Sequence, residues 1–558
     1  MVVKESEHIP APHRESPFVA AIAEDLVDHT EVIPFGEEDV NLWTKAVRSE
    51  GEVEVHFGAP DIDGASDTQS ASGDKSVGGS QAEDQDTSFL CRMFDFVKYV
   101  YSTALLIFCI VVVSAAIFSR QTTATGDYNL HPAIAFIVFW TLLLWLALME
   151  GGLNCMVGLQ PIAKALYAQS HPQTTRCTTL AHRGDNIERF IVGRQFLDLM
   201  IVFMTSFMVS AISNANVLGL PTRVSEAFFN SGLAVILVTI VFGQLTTQIN
   251  AAHSMLDFMN KYAMVATTYL ALTVEMSGLL HAVYLIQIAF AKATGKPIKT
   301  HEQPRNTVRK LFFWGRVFLS TSILIFALVV TFTAVFEGKT TMWAGVPPWA
   351  SFIMLITLIL LTGLMEGLQI AFFEVVHLPE GALDKHSVAQ RNCALVFSGQ
   401  NLQTFLIGRQ IFQTIVMFLI ARITTIESGD GNLFGVGNGL QNFFNTGVLG
   451  ALFSTILASL SWRVIASSFP LAFLSNPLAS FIIRICILVE NSGVCYSSWI
   501  IAALHRRVAG YKLDEQYLGK ASELSSTSRN DLELMEGDGT EDGSRSCKST
   551  DSESAGHR

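Results

Sequence analysis

Charge is scarce in this chain: 15% of its 558 residues are Asp, Glu, Lys or Arg, while 50% are hydrophobic. An ordinary soluble domain carries about a quarter of its residues as charges, so that class is excluded and a polytopic membrane protein is indicated. The signatures of catalysis and of ATP-driven pumping are also missing. No Walker loop, aspartyl-phosphate motif, Ser-His-Asp order or metal-spaced Cys/His cluster occurs, which argues against an enzyme and leaves an ion gradient as the source of energy for uphill work. One charge crossing 100 mV is worth about 2.3 kcal/mol, enough to concentrate a neutral solute about fortyfold at ~1.4 kcal/mol per decade.

The cysteines show no repeated spacing. Cys109, Cys155, Cys486 and Cys495 fall in apolar segments and Cys91, Cys177, Cys393 and Cys547 are scattered, so all read as small hydrophobes rather than zinc ligands or a disulfide framework. No Asn-x-Ser/Thr acceptor is present to report which loops face outward. The stretch Met1 to Arg14 contains neither an apolar h-region nor an Arg-rich transit pattern, and targeting is expected to rely on the first spanning helix. No cofactor and no nucleic-acid partner is expected.

What the chain does have is apolar length between two acidic tails. The formal charge of −12 describes the tails more than the core. Residues 1–90 are expected to be an acidic, largely disordered cytoplasmic region, with a linker at Ser70–Asp86 and a short helix or hairpin within Pro17–Phe57. Residues 508–558 read as a Ser-rich, acidic, disordered tail. Between them, ten runs are long enough to cross about 30 Å of hydrocarbon. They lie near Tyr99–Phe118, Pro132–Leu153, Ile187–Ile212, Phe228–Thr247, Tyr262–Phe290, Leu311–Phe336, Pro348–Val376, Leu402–Ile423, Phe443–Trp462 and Leu478–Leu504. Because lipid satisfies no backbone hydrogen bonds, an all-α fold is predicted.

The second half repeats the first. Met149-Glu150-Gly151 returns as Met365-Glu366-Gly367, and Gly193-Arg194-Gln195 as Gly408-Arg409-Gln410. Gly184-Asp185-Asn186 with Phe190 corresponds to Gly399-Gln400-Asn401 with Phe405. Phe228-Phe229-Asn230 corresponds to Phe443-Phe444-Asn445, and Glu275-x-Ser277-Gly278 to Glu490-x-Ser492-Gly493. A constant 215 residues separates Gly193 from Gly408, Phe228 from Phe443 and Glu275 from Glu490. Two five-helix repeats are predicted, 94–290 and 311–507, joined by a basic connection at 291–310. An odd number of crossings per repeat makes them inverted, with a shared site near the midplane. Lys292, Lys296, Lys299, Arg305, Arg309 and Lys310 would then face outward, against the positive-inside tendency, unless one of the ten runs is re-entrant.

Ionisable groups at membrane depth are costly and mark a pathway, a partner or a site. Gln369, Gln410 and Gln195 suit a neutral hydroxylated solute, since an amide offers two donors and two lone pairs without charge; interhelical hydrogen bonding is the plainer role. Adjacent helix positions differ by about 100°, so Arg409 and Gln410 do not both address one solute from an ideal helix. Gly408 serves either close helix approach or a break. Arg409 either contacts solute or pairs with Glu366. Arg194 has Asp198 four residues on, the spacing of a local ion pair, and reads as structural. Glu366 and Glu150 are candidates for a hard-cation site, for carrying a proton, or for a paired helix-end role. Glu275 and Glu490, with the glycines Gly367, Gly408, Gly193 and Gly151, are assigned structural or gating roles.

Glu-Gly-x-Gln followed by Gly-Arg-Gln, present twice among ten apolar segments, resembles the diatom silicon transporters. Glu366-Gly367-Leu368-Gln369, Gly408-Arg409-Gln410 and Gly193-Arg194-Gln195 match the motifs. Glu150-Gly151-Gly152-Leu153 departs from them, with Leu where Gln is expected, and Asn154 or Gln160 is the candidate substitute. The resemblance covers about Phe94 to Arg507. It implies uptake of orthosilicic acid with sodium by alternating access, in the plasma membrane or an intracellular vesicle membrane. The chain after Arg507 lacks the sustained heptads of members with a coiled-coil tail. In this reading Gln369, Gln410, Gln195 and Asn154 or Gln160 contact the solute, and Glu366 and Glu150 help bind sodium. A passive channel for a small neutral hydroxylated solute and a receptor or sensor on a carrier fold stay open.

Overall fold

The computed structural model describes residues 81–518, apart from 161, 185, 213–214, 216, 295–306, 344, 376–382, 384–385, 399–400 and 428–430. The expectations for residues 1–80 and 519–558, most of the basic connection, and the motif residues Asp185, Gly399 and Gln400 lie outside the described residues.

Helices make up the fold, with no named strand among the described residues; two isolated bridges join Thr122 to Ala211 and Thr340 to Ile426. Eight helices are long and apolar enough to cross a membrane. The first four are α1 (Gln81–Phe118), α2 (Pro132–Gly158), α3 (Asn186–Val209) and α4 (Leu233–His253). Two shorter helices follow, α5 (Tyr262–Met276) and α6 (Ala282–Thr294). Then come α7 (Thr307–Phe336), α8 (Pro348–Val375), α9 (Asn401–Thr424) and α10 (Val448–Ser468), and again a shorter pair, α11 (Pro477–Asn491) and α12 (Ser497–Ala509).

The fifth and tenth predicted runs are therefore each interrupted. Gly278 and Gly493 hold φ of +82° and +71°, the left-handed conformation that ends a helix and that glycine adopts without a Cβ clash. The freed backbone groups find partners on a helix from the other half of the chain. Ser320 Oγ on α7 donates to Leu279 O and accepts from Ala282 N, at 2.6 and 2.9 Å. Ser102 Oγ on α1 donates to Val494 O and accepts from Ser497 N, at 2.6 and 2.9 Å.

Burial separates the helices into layers. In its most apolar window α4 is 83% buried but α1 and α7 only 39%, so α4 belongs to the protein interior while α1 and α7 present side chains such as Ile107 and Phe318 outward, as a lipid-facing helix must. Inside, α3 packs on α5, α9 on α11, and α3 and α9 on each other. Two glycines set these distances. A Cβ on Gly193 would lie 1.8 Å from Ala271 O, and one on Gly408 would lie 1.8 Å from Cys486 O. Of the two uses open to Gly408, the structure adopts close approach, and α9 runs unbroken through it. The described cysteines, among them Cys109, Cys155 and Cys486, are buried free thiols.

Candidate functional site

Six long helices place polar side chains around the centre of the molecule. α2 contributes Glu150 and Asn154, and α3 contributes Arg194, Gln195 and Asp198. Gln244 and Gln248 come from α4, Glu366 and Gln369 from α8, Arg409, Gln410, Gln413 and Thr414 from α9, and Arg463 from α10. α4 and α10 reach the site through π-helical turns, Thr239–Leu245 and Thr455–Leu460. Such wide turns break the regular i to i−4 ladder and are frequent at functional sites. On α2 and α8 the residue after each glutamate is a glycine packed against a phenylalanine: a Cβ on Gly151 would lie 2.3 Å from the Phe258 ring and one on Gly367 2.1 Å from that of Phe473.

The charges form a connected network. Arg194 Nη1 donates to Asp198 Oδ2 at 2.8 Å, the i, i+4 pair that the spacing predicts, and lies 3.5 Å from Glu150 Oε1. Arg194 Nη2 donates to Gln195 Oε1 at 3.1 Å, and Gln248 Nε2 donates to Glu150 Oε2 at 3.2 Å. In the second half Arg409 Nη2 donates to Gln410 Oε1 at 3.1 Å, and its Nη1 donates to Gln413 Oε1. Gln413 Nε2 in turn donates to Glu366 Oε1, which also accepts from Ser459 Oγ at 3.3 Å. Arg463 grips Glu366 Oε2 through Nε and Nη2, both at 2.9 Å, whereas Arg409 Nη1 stands 3.9 Å away. The Arg409–Glu366 pairing is thus the looser of the two. Arg409 and Gln410 face the same space although α9 is a regular helix, because the long arginine side chain curls back onto its neighbour's amide.

Two adjoining cavities of about 80 and 120 Å³ lie here and share Asn154, Gln248, Gln369, Arg409 and Gln410. At about 30 Å³ per water, the larger holds roughly four waters, the scale of a small polar solute. The walls of the two cavities keep bonding capacity in reserve. Gln369 Oε1, Asp198 Oδ1, Arg194 Nε and Arg409 Nε are buried with no hydrogen-bond partner. Three carboxylates, Glu150, Asp198 and Glu366, face three guanidinium groups, Arg194, Arg409 and Arg463. The lining of the smaller cavity is neutral as a whole when all six are ionised, which suits an uncharged solute with several hydroxyls.

The structure brings together Gln369, Gln410, Gln195, Asn154, Arg409, Arg194, Asp198, Glu366 and Glu150, and Glu490 lines the larger cavity. Gln160 lines neither. It lies in the turn beyond the end of α2, so of the two candidate substitutes it is Asn154 that faces the cavities. Glu275 is buried near the α5 break, 4.0 Å from His281 Nε2. Sequence reasoning passed over Gln244, Gln248, Gln413, Thr414 and Arg463. Gln248 and Arg463 stand 215 residues apart, as do Gln244 and Ser459, so the register of the motifs points to them, but their identities differ and a search for identical residues misses them. Among the described residues no three His, Cys, Asp or Glu side chains group to hold a metal ion, so a cation here would depend on neutral oxygens as well as carboxylates.

Neither the curated proteins nor the solved structures contain a match to this chain. The family model for silicon transporters matches residues 90–556. That span takes in all eight helices long enough to cross a membrane among the described residues, from Met93 onward, and the residues lining both cavities, and the chain belongs to the silicon transporter family.

Proposed function

We propose that this integral membrane protein is a sodium-coupled symporter of orthosilicic acid that works by alternating access. The observation that carries the proposal is the neutral, amide-rich cavity between α2–α3 and α8–α9, with Gln369 Oε1 buried and unpartnered on its wall. Orthosilicic acid is a small uncharged tetrahedron of hydroxyls. Gln369, Gln410, Gln195 and Asn154 offer it donors and acceptors, and Arg409 holds the Gln410 amide in place. Leaving such amides unmet in a buried wall costs about 1–3 kcal/mol each, so a solute that satisfies them is selected over an apolar one of similar size.

Alternating access needs two units that rock against each other around the solute, and we assign these to 94–290 and 311–507 as inverted five-helix repeats. The paired contacts support this division. Gly193 meets Ala271 as Gly408 meets Cys486, and Gly151 meets Phe258 as Gly367 meets Phe473, with a shift of 215 residues for all of these but Gly151 to Gly367, which is 216. Asp514, after α12, accepts from Met255 N and Leu256 N, just after α4, at 2.8 and 3.0 Å. The two helix ends share one membrane face, so the chain between them crosses an even number of times, in keeping with ten crossings and both tails on one side.

The test is flux of radiolabelled germanic or silicic acid into vesicles that contain the purified protein, with a sodium gradient or with choline in its place. Accumulation above the outside concentration only with sodium is expected, and Gln410→Ala abolishes it at normal protein content. Equilibration without sodium would show a channel instead.

A further inference from the structure

The two halves hold their glutamates differently, and the difference fixes where a cation can bind. Position 198 is Asp and its counterpart 413 is Gln; position 248 is Gln and its counterpart 463 is Arg. The first-half cluster therefore has two carboxylates, Glu150 and Asp198, around one guanidinium, Arg194. The second-half cluster has one carboxylate, Glu366, between two guanidiniums, Arg409 and Arg463. One end of the cavity carries an excess negative charge and the other an equal excess of positive charge.

Bond saturation runs the same way. Both oxygens of Glu366 are engaged, Oε1 by Gln413 and Ser459 and Oε2 by two nitrogens of Arg463. Asp198 is 7% exposed, lines the smaller cavity beside the Glu150 carboxyl, and has no donor to its Oδ1. Two adjacent buried carboxylates short of donors are a costly arrangement when both are ionised, and a desolvated cation relieves it.

We infer that the protein has one sodium site, on the first half only, with Asp198 Oδ1 and Glu150 as its anionic ligands, and that Glu366 takes no part in binding sodium directly. This rests on the symport reading and goes beyond it by assigning Asp198, whose spacing to Arg194 gives it a purely structural look, as an ion ligand. The cation is attracted to the Asp198–Glu150 end and repelled from the Arg409–Arg463 end, while the neutral solute spans the amides between them.

The experiment measures thermal stabilisation of the purified full-length protein by NaCl against choline chloride, alongside the sodium dependence of germanic acid uptake in vesicles. For the unaltered protein a saturable sodium-specific rise in the unfolding midpoint is expected. Asp198→Asn is expected to raise the half-saturating sodium concentration at least tenfold in both measurements, Asp198→Glu to recover part of the response, and Glu337→Gln, an exposed acid that lines neither cavity, to keep the original sodium midpoint. If Asp198→Asn does not accumulate, Glu150→Gln is read in the same two assays with the same expectation. A variant of Asp198 or Glu150 that folds and keeps the original sodium midpoint overturns this assignment while leaving symport intact. Uptake that ignores sodium in the unaltered protein overturns symport and the site together, and stabilisation that follows pH rather than sodium overturns the site in favour of a proton.

Discussion

Replacing Glu366 by Gln removes one charge and strands two. Glu366 is 1% exposed and takes two Arg463 nitrogens at 2.9 Å, with Arg409 at 3.9 Å. Breaking a buried ion pair from one side typically costs about 3–5 kcal/mol because the remaining charge is left uncompensated. Arg463 has a side chain 18% exposed and regains part of its hydration, which puts the expected loss near the lower end, about 3 kcal/mol. Arg463→Gln is milder, about 1–3 kcal/mol, since it leaves Glu366 with Arg409 and an amide, the arrangement that Glu150 already has with Arg194 and Gln248. The double variant returns the second-half cluster to its original net charge, with one guanidinium stranded rather than two. It is therefore expected to be more stable than Glu366→Gln alone, with a coupling of about 1–3 kcal/mol. Thermal unfolding midpoints of the three purified proteins in one detergent give the order directly. A double variant that is the least stable of the three, with losses additive to within about 0.5 kcal/mol, would refute the claim that the Glu366–Arg463 pair holds this cluster together.

The helix contacts give a paired prediction: Gly193→Ala and Gly408→Ala each place a carbon 1.8 Å from a facing backbone carbonyl, so both variants are expected to lose at least the 1–3 kcal/mol typical of overpacking and to yield far less folded protein on size-exclusion chromatography. Asn154→Ala is expected to lower uptake severalfold while Gln160→Ala leaves it near the original rate, because only the first side chain faces the cavities; equal effects on transport would undo that distinction. Asp514→Asn weakens two charge-assisted bonds to Met255 N and Leu256 N, each worth about 1.5–3 kcal/mol. Hydrogen exchange at those two amides is expected to accelerate at least tenfold, and unchanged exchange would show that the carboxylate does not hold this turn.

Much of this architecture was legible in the residues because lipid leaves few options. Eight of the ten apolar runs each hold one long helix, as a need for internally satisfied backbone requires, although those starting at Phe228 and Phe443 become one only after a break at Gly232 or Gly447. The other two were legible as apolar runs but not as broken ones. Glu275-x-Ser277-Gly278 and Glu490-x-Ser492-Gly493 carry the break in a glycine's positive φ, and the partner that makes the break affordable is a serine from the other half, Ser320 or Ser102, which no local pattern announces. The site follows the same division. Glu150, Arg194, Gln195, Glu366, Arg409 and Gln410 were marked by repetition, but Gln248 and Arg463 were hidden because the two halves use different side chains at one position. Arg409 and Gln410 were set apart by helix geometry, a rule that holds for short side chains and fails for one long enough to fold back along the helix.

The same backbone problem is solved twice by different chemistry, and the contrast shows where the two halves of the chain differ. α4 ends at His253 and the chain turns at Ser254, whose φ and ψ are −141° and 56°; α10 ends at Ser468 and turns at Phe469 with −140° and 55°. Each turn starts a short helix, Met255–Met259 or Pro470–Leu474, whose first amides lack partners within the helix. In the second half Pro470 removes one of those donors outright. In the first half Met255 and Leu256 keep theirs, and the carboxylate of Asp514 accepts both. The short helices carry Phe258 and Phe473, which press on Gly151 and Gly367 directly beside Glu150 and Glu366. The second-half turn is therefore set by its own covalent structure. The first-half turn, next to the cluster with two carboxylates and one guanidinium, depends instead on Asp514 in the segment that follows α12, which is why Asp514→Asn is expected to loosen it.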